Sequence, residues 1–595
     1  MFTTRPEITG TFGVAATTHW LGTAAAMAVL ERGGNAFDAG VTAGFTLQVI
    51  EPHLNGPGGD LPAIAFSQRD EKTSVLCAQG PAPKAATIAH FEDLDLDTIP
   101  GSGLLPAVIP GAFDGWMNLL LTHGTWPLAD VLEFAIHYAE RGYPVLPRIA
   151  GTIEQVSELF RTEWKTSGSI YLDKGAVPQP GSFHRNPHLA QTYRKIIEEA
   201  EAATPNRDGQ IEKAREIWAQ GWVAHSIDRF FSSNEILDPS GRRHKGLLTG
   251  EDMAGWRSAF EDPVSVSYGD YEVFKAGFWS QGPVMLQQLR LLETMGLGDM
   301  ALHGPEFVHT ATEAIKLAFA DREAWYGDPE FADIPAETLL SKDYANERRA
   351  LIGDSASRDM RPGSPDGRTP NIEAALNASG DAGPLAALMG VGEPTVQKDG
   401  TSRGDTVHID VIDRHGNMIS ATPSGGWLQS SPVIPELGFC LGNRAQMFWL
   451  DESSTSALVP GKRPRTTLSP SLAYKNGEPY MAFGTPGGDQ QDQWSTLMFL
   501  YHVEHGLNLQ EAIDAPSFHS EHFPSSFWPR GRVPGKLVLE NRFSEETLAD
   551  LVARGHKAEA GDPWSEGRLS AATKQGDILR AAANPRGMQG YAAGR

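Results

Sequence analysis

The chain has 595 residues, of which 40% are hydrophobic and 21% are charged, and its formal net charge is −24. This length predicts several domains or one large layered domain. The negative charge argues against a nucleic-acid partner or an anionic membrane surface, because phosphate binding needs clustered Lys and Arg.

The sequence shows neither a recognisable targeting signal nor a cysteine pattern that indicates a disulfide framework or a zinc site. The only cysteines, Cys77 and Cys440, make no disulfide framework, and no Cys/His cluster has zinc spacing. No window approaches the roughly 20 apolar residues of a membrane span. The first residues lack the basic and apolar regions of a signal peptide. We therefore expect a cytoplasmic protein without a metal, a cofactor or a membrane partner.

Helix signals dominate the first half of the chain. The helix over 39–50 has almost no charge, so it is predicted to be buried on most sides. Residues 150–245 are helical and polar and predict a peripheral helical lobe. Residues 353–403, rich in Gly, Pro and Ser with a helical patch near 373–390, are the best linker candidate. The other predicted elements are helices over 18–32, 110–123, 129–141, 284–295 and 307–325, and strand pairs over 62–67 with 74–78 and over 264–267 with 271–275.

Strand signals take over in the last third. Residues 407–412 predict a strand that returns over 418–421, and Asn476-Gly477 is a strong hairpin signal. Because strands and helices come in separated runs, the class is α+β, with sheets sandwiched by helices rather than a doubly wound order. The other predicted elements are strands over 468–474, 479–483 and 537–540, helices over 493–504, 509–514 and 544–554, and a hairpin around 574–577.

Several familiar site motifs are absent or incomplete. The glycine-rich loop 55–60 lacks the Walker lysine and the GxGxxG spacing, so it is interpreted as a tight turn into a strand. No GxSxG elbow is present. The His-Ser-Glu-His run at 519–522 is interpreted as a solvated loop bounded by prolines rather than a metal site.

Thr406 stands between the linker candidate and a strand, and two interpretations are open. It can simply begin the strand, since Thr is a good strand former. Alternatively the chain is cut before Thr406, and the new α-amine serves as the base for the side-chain hydroxyl. Gly487 and Gly488 can then present backbone amides to an oxyanion without a Cβ in the way. Ser424 and Thr422, on the neighbouring strand, can hydrogen-bond the Thr406 hydroxyl or amine.

A set of short motifs runs through nearly the whole chain. As a set they resemble the γ-glutamyltransferase family of N-terminal nucleophile hydrolases. The motifs are Gly33-Gly34-Asn35-Ala36-Phe37-Asp38-Ala39, Pro110-Gly111, His123-Gly124-Thr125, Ala320-Asp321-Arg322, Gly327-Asp328-Pro329, Asp405-Thr406-Val407-His408, Asp413-Arg414-His415-Gly416-Asn417, Lys462-Arg463-Pro464, Ser469-Pro470 and Gly484-Thr485-Pro486-Gly487-Gly488.

The resemblance implies a four-layer αββα sandwich and self-cleavage before Thr406. The products are a large chain of about 1–405, with the linker at about 353–405, and a small chain of 406–595 that stay associated. The oligomeric state is left open, with a homodimer as one arrangement. The implied site residues are Thr406 as nucleophile, Ser424 as its support, Gly487 and Gly488 as the oxyanion loop, and Thr466 and Thr467 as candidate substrate contacts. His408, two residues after Thr406, is a further candidate substrate contact.

The chain departs from the family at the residues that bind a glutamyl group. The position of the family's carboxylate-binding Arg is Gln79, and its acidic residue falls near Gln446 or Met447. Burying a glutamate carboxylate with no cation opposite is costly, so an ordinary γ-glutamyl donor is not expected. A different pocket could be built from Arg444, Arg465 and the run Asp489-Gln490-Gln491-Asp492. Arg444 is interpreted either as a bidentate carboxylate ligand or as a surface ion pair.

The function expected from this resemblance is a self-processing threonine hydrolase that cleaves an amide-type bond of a small molecule through an acyl-enzyme. Hydrolysis is favoured over transfer, since the usual recognition set is altered. Ordinary glutathione hydrolase or transpeptidase activity is one alternative. Another is an oxamate-like amidase, a cephalosporin-type acylase, or the C–C bond hydrolysis that resembling enzymes perform in alkylproline-antibiotic pathways. An uncleaved, inactive scaffold is the alternative from a different class.

Overall fold

Two seven-stranded antiparallel sheets form the centre of the protein. The computed structural model describes residues 2–378, 380, 395–396, 402–403 and 406–595. In chain order the strands of the two sheets are β1 (Ile8–Gly10), β2 (Gly13–Thr17), β3 (Leu61–Ser67), β4 (Lys72–Ala78), β5 (Ala259–Glu261), β6 (Val264–Tyr268), β7 (Tyr271–Lys275), β8 (Ile409–Asp413), β9 (Met418–Ala421), β10 (Ser471–Lys475), β11 (Glu478–Gly484), β12 (Ser570–Gln575), β13 (Ile578–Ala583) and β14 (Tyr591–Gly594).

Both sheets mix strands from before and after Thr406. Sheet I has the order β14-β2-β8-β9-β3-β4-β5, and sheet II has the order β1-β13-β12-β11-β10-β7-β6. In sheet I, β8 lies between β2 from the start of the chain and its own hairpin partner β9. The segments on the two sides of Thr406 therefore build one sandwich together.

Helices cover the outer face of each sheet and complete the four layers. Sheet I is covered by α1 (Trp20–Glu31), α2 (Ala36–Ile50), α3 (Ala112–His123) and α4 (Leu128–Arg141), and the lobe beyond them contains α5 (Pro147–Gln155), α6 (Ser157–Thr162), α7 (Lys165–Tyr171), α8 (Pro187–Ala203), α9 (Arg207–Gln220) and α10 (Trp222–Ser233). Sheet II is covered by α11 (Pro283–Leu292), on which α12 (Pro305–Trp325) packs, and by α13 (Gln491–Val503) and α14 (Leu509–Asp514). The predicted αββα sandwich with a helical lobe is confirmed.

The remaining elements are short. Shorter helices span Ile88–Asp93, Gly250–Ala254, Ala336–Leu339, Lys342–Arg349, Glu373–Asn377 and Glu545–Ala553. Small strand pairs or triplets join Tyr143–Pro144 with Phe183–His184, Ile236–Leu237 with Arg243–His244, Thr395–Val396 with Ser402–Arg403, and Phe518–Ser520 with Lys536–Glu540 and Lys557–Gly561. No helix among the described residues is long and apolar enough to cross a membrane.

Burial explains why α2 carries almost no charge. Every residue of α2 is buried between sheet I and the outer helices, as its composition predicts. A capping box at Asn35 and Asp38 satisfies amides of its first turn. The two sheets meet through a separate apolar core that includes Val14, Ile64 and Leu472. One apolar core therefore lies between the two sheets, and another lies on the outer face of each sheet.

The segments 519–522 and 373–390 differ from the loop and helix predicted for them or extend beyond the described residues. The run 519–522 is not a solvated loop, because His519 lies in the strand Phe518–Ser520 and is 1% exposed. The sequence misses this strand because it is only three residues long and is fixed by a distant partner, Lys536–Glu540. Of the predicted linker helix near 373–390, Glu373–Asn377 is helical. Most of the remainder, and the bond before Thr406, lie outside the described residues.

Candidate active site

Thr406 lies at the beginning of the β8–β9 hairpin and is 1% exposed. It forms an antiparallel bridge with Ser424, and its hydroxyl donates to Ser424 Oγ at 3.1 Å. The backbone of Ser424 pairs in turn with that of Asp60, at 2.9 and 3.1 Å. The predicted support for Thr406 is therefore in direct contact with it, on a backbone held by a further antiparallel bridge to Asp60.

His408 lies inside the sandwich, two residues beyond Thr406. Its Nδ1 is 2.9 Å from Thr422 Oγ1 and its Nε2 is 3.0 Å from Asp410 Oδ1. A Cβ added at Gly484 would lie 2.4 Å from the His408 ring, so β11 ends against this imidazole. The predicted role of His408 as a substrate contact remains a prediction, with both ring nitrogens engaged by neighbouring side chains.

The loop after β11 lies at the same end of the sandwich as Thr406. Gly487 has φ 127° and Gly488 has φ 53°, conformations that favour glycine. A Cβ at Gly487 would lie only 2.3 Å from the ring of Trp494, so this position has neither the conformation nor the space for a side chain. Gln281, which precedes Thr406 in the chain, holds this loop: its Nε2 donates to the Gly488 carbonyl at 3.1 Å.

Thr466 and Thr467 precede β10 and are buried. Thr466 pairs with the backbone around Ser280, and its carbonyl accepts from Gln281 N at 2.8 Å. Gln281 therefore joins Thr466 to the Gly488 loop. Within the described part of the chain, the hydroxyl of Thr467 has no hydrogen-bond partner. An unpaired buried hydroxyl is costly and is available to a ligand.

Arg444 is buried rather than on the surface, with 1% of its side chain exposed. Its Nε donates to both carboxylate oxygens of Asp60, at 3.1 and 3.0 Å. The guanidinium carbon lies 5.2 Å from the Trp427 ring centroid and 5.8 Å from that of Phe527. Burial raises the pKa of Asp60, and the Arg444 charge opposes that rise. The surface ion pair, one of the two interpretations from the sequence, is excluded.

The outer nitrogens of Arg444 are the most unusual feature of the site. Nη1 and Nη2 are buried, and neither has a hydrogen-bond partner among the described residues. A guanidinium has five N–H donors, and leaving four of them unpaired in the interior is costly. Two parallel Nη donors match the two oxygens of a carboxylate.

The residues at the family's glutamyl-binding positions carry no charge. Gln79 is fully buried, and among the described residues its amide nitrogen donates only to the neighbouring Gly80 carbonyl, at 3.4 Å. Gln446 donates to Gly101 O at 3.3 Å and accepts from Trp528 N at 3.0 Å. Met447 is buried in an apolar cluster. None of these side chains is a counter-ion for an amino-acid head group.

The run 489–492 is engaged by cations of the protein itself. Asp489 forms an ion pair with Arg322 and accepts from Ser526 N at 2.8 Å. Asp492 lies 3.0 Å from Lys275 Nζ. Arg465 bonds Glu323 at 3.0 Å. These groups form a buried ionic network behind the glycine loop, while Arg444 lies outside it.

One cluster of possible metal ligands occurs in the described part of the protein: His309, Glu313 and His556, all buried. Glu313 already forms ion pairs with Lys316 and Arg361. His309 and His556 bond each other at 2.9 Å. Because two cations neutralise the only carboxylate, the cluster is suited to holding the segment around 353–361 against α12 rather than to binding a metal.

Asp60 is the residue of the site that sequence reasoning missed. It ends the glycine-rich loop 55–60, which is interpreted above as a turn into a strand, and that turn does lead into β3. The glycines allow close approach: a Cβ at Gly59 would lie 2.0 Å from the Ser424 carbonyl. A lone Asp after a glycine run was the only available signal, and its partner Arg444 is 384 residues away.

Comparison with known proteins agrees with the fold. The Gamma-glutamyltranspeptidase family model matches residues 22–594. The chain is 30% identical over 591 residues to the glutathione hydrolase-like YwrD proenzyme of Bacillus subtilis (strain 168), covering 98% of both proteins. Two solved structures of LmbA2991 match all of both chains, with TM-scores of 0.93 and 0.92 at 51% and 50% identity. A cephalosporin acylase from Bacillus halodurans has a TM-score of 0.82 at 28% identity, covering 100% of this chain and 98% of that one.

These matches extend across both sheets and the Thr406 site. The relatives are named as hydrolase and acylase enzymes, and several are proenzymes. The chain belongs to the γ-glutamyltranspeptidase family of N-terminal nucleophile hydrolases and is an enzyme of that hydrolase and acyltransferase family.

Proposed function

We propose that the chain is a precursor that cuts itself before Thr406 and then hydrolyses a small acyl compound through an acyl-enzyme. The observation that carries this proposal is the hydrogen bond from Thr406 Oγ1 to Ser424 at the start of the hairpin. The naming of relatives as proenzymes supports it. The residues on both sides of the cut share both sheets, so the two fragments would remain one folded protein.

The proposed chemistry needs only groups of the chain itself. After the cut, the neutral α-amine of Thr406, with a reference pKa of about 7.7–8.0, takes the Oγ proton as Oγ attacks the substrate carbonyl. The backbone amides of Gly487 and Gly488 would stabilise the oxyanion. The amine then gives the proton to the leaving group, and water, deprotonated by the same amine, hydrolyses the ester that remains. Hydrolysis is preferred to transfer because the residues at the family's usual recognition positions, Gln79 and Gln446, carry no charge.

We further propose that Arg444 binds a carboxylate on the substrate. The support is the pair of buried Nη atoms without partners in the described structure, beside a Trp427 face that can pack against an apolar stem. Gln79 and Gln446 cannot provide the charges that a glutamyl head group needs. A γ-glutamyl compound is therefore a poorer candidate than a carboxylic acid with no α-amine.

Acylase activity on a larger amide is the second candidate. It is favoured by the similarity to the cephalosporin acylase, which has a TM-score of 0.82 over this whole chain. The two candidates share the Thr406 chemistry and differ in the size of the acyl group. A panel of p-nitroanilides distinguishes them: small dicarboxylic acyl groups, larger acyl groups, and γ-glutamyl as the family reference.

Intact mass spectrometry of purified protein tests the cut. Wild type should give two fragments divided between Asp405 and Thr406, and Thr406→Ala should give one uncut chain. Thr406→Ser keeps a hydroxyl and should still cut, which controls for misfolding. A folded, uncut wild-type chain that turns over no anilide would refute the proposal in favour of an inactive scaffold.

A further inference from the structure

The C-terminal end of α2 lies at the same end of the sandwich as Thr406. At its start, Ala36 N donates to Asp413 Oδ2, at the far end of β8, at 2.9 Å. At its other end, Glu51 accepts from the Thr18 hydroxyl at 2.7 Å, and Thr18 N donates to the His408 carbonyl at 3.2 Å. The helix therefore runs antiparallel to β8 and ends where β8 begins.

His53, two residues beyond Glu51, is buried with an unsatisfied ring. It is 3% exposed, and neither Nδ1 nor Nε2 has a hydrogen-bond partner among the described residues. By contrast, the buried rings of His408 and His519 have both nitrogens engaged. A neutral imidazole carries one donor and one acceptor, and leaving both unpaired in the interior is costly.

Two arginines from different layers act electrostatically on this imidazole. Arg148 belongs to α5 of the helical lobe, and Arg568 follows the strand Lys557–Gly561. Arg568 N donates to Thr485 Oγ1 at 3.1 Å, so this arginine lies beside the loop that contains Gly487. Burial, Arg148, Arg568 and His19, in that order, hold the pKa of His53 well below its ordinary value.

The acidic group on His53's own segment is already engaged. Glu51 accepts from the Thr18 hydroxyl and from the side-chain amide of Gln589. His19, the remaining titratable neighbour, caps α1 through Nδ1 and has its pKa lowered to about 3 by burial. Among the described residues, the charged groups that act on the His53 imidazole are therefore the two arginines.

We propose that His53 is a second substrate anchor, which takes up a proton from solvent as it binds a carboxylate carried by the substrate. The inference rests on the proposed function, because it assigns the residue to the Thr406 site. The neutral imidazole takes one proton from solvent and pairs, as imidazolium, with the substrate carboxylate. No bond of the substrate is made or broken in this step. The negative charge of the incoming carboxylate favours protonation of the imidazole.

His53 and Arg444 are connected through one aromatic residue. Trp427 Nε1 donates to the carbonyl of Leu54 at 2.7 Å, next to His53, and its ring lies 5.2 Å from the Arg444 guanidinium carbon. Two anion-binding groups on one site select small acyl compounds with two carboxylates. A monocarboxylate can use Arg444 alone and would bind without a proton.

Isothermal titration calorimetry of the self-processed enzyme tests this assignment. The probes are succinate, glutarate and adipate, each compared with its monoamide, in buffers of different ionisation enthalpy. For at least one diacid we expect uptake of about one proton per ligand and an affinity that falls about tenfold per pH unit on the alkaline side. The monoamides should bind with little proton uptake.

Two variants test whether His53 is the residue that takes up the proton. His53→Gln should abolish proton uptake and weaken diacid binding by about tenfold or more. His502→Gln is the matched control and should bind like wild type. His502 lies on α13 and bonds the Tyr480 hydroxyl and the Leu507 carbonyl. Self-processing of His53→Gln shows that its site has folded, and monoamide binding provides a second check.

The outcomes separate the two proposals. A wild-type chain that stays uncut overturns the proposed function, and the inference with it. A processed enzyme that binds none of the diacids, or binds them without proton uptake, overturns the inference alone. Equal proton uptake in His53→Gln also contradicts it, because another group would then be the one that titrates.

Discussion

The side chains of Arg444 and Asp60 form a buried ion pair in which Nε donates to both carboxylate oxygens, at 3.1 and 3.0 Å. This leaves the two Nη atoms for another partner. Asp60 also pairs through its backbone with Ser424, the residue that accepts from Thr406. One acidic residue thus connects the candidate carboxylate anchor to the candidate nucleophile.

Replacing Arg444 should affect substrate binding more than turnover. For a carboxylate-bearing anilide, Arg444→Gln should raise KM at least about tenfold, because a charge-assisted bidentate contact is lost. The kcat value should change much less. Steady-state kinetics with an uncharged anilide of the same size is the control, and its kcat/KM should be nearly unchanged. A selective fall in kcat would instead place Arg444 in the chemical step.

Because Asp60 loses its partner in Arg444→Gln, the free energy of unfolding of this variant must be measured together with its kinetics. Removing one member of a buried ion pair costs about 3–5 kcal/mol. The double variant Arg444→Gln/Asp60→Asn should recover part of this loss in urea unfolding. Its KM should stay high, which separates binding from folding.

Gly487→Ala should reduce kcat by about 10²–10³-fold with a smaller change in KM, as expected when an oxyanion donor is displaced. The added Cβ would lie 2.3 Å from the Trp494 ring, at a φ of 127°. The matched control is Gly477→Ala, at φ 84° in the β10–β11 turn, where a Cβ meets nothing within 4 Å. The control should lose some stability but keep its kcat. Equal kcat in both variants would remove Gly487 from the mechanism.

Lys275 and Asp492 are both fully buried, 3.0 Å apart, and Asp492 also accepts from Ser469 Oγ at 2.6 Å. Burial lowers the pKa of Lys275 and raises that of Asp492, and each partner opposes the shift of the other. Lys275→Met should lower the free energy of unfolding by about 3–5 kcal/mol, since it leaves a buried acid without its partner. Urea unfolding of Lys275→Met/Asp492→Leu should recover much of this loss. Strictly additive losses would show that the pair is not coupled.

Stability should depend on pH through His519. Burial alone would lower the pKa of His519, but Glu566 and Glu521 outweigh it and raise the pKa to about 10. Because the folded state holds this proton more tightly, its contribution is complete below pH 6.5 and is lost as the pH rises toward about 10. The difference in unfolding free energy between wild type and His519→Gln should therefore shrink across this window. A difference that is constant from pH 6.5 to 10 would contradict this assignment.

Local sequence predicts the features that depend on neighbours in the chain. The Asn476-Gly477 turn, the uncharged α2 and the β8–β9 hairpin all follow from short-range patterns and occur as expected. The family motifs extend the prediction from these local elements to the whole αββα sandwich. What the sequence does not provide is the pairing of distant groups, because that depends on how layers stack. Arg444 with Asp60 and the environment of His53 are of this kind.

The shared sheets have a kinetic consequence for a protein that has been cut before Thr406. In sheet I, β8 is hydrogen-bonded to β2, which belongs to the other fragment, and β9 to β3, so separation would break the centre of the sheet. Exchange of fragments between molecules should therefore be as slow as global unfolding. When cut protein labelled with heavy isotopes is mixed with unlabelled protein, native mass spectra should show no hybrid complexes until denaturant is added.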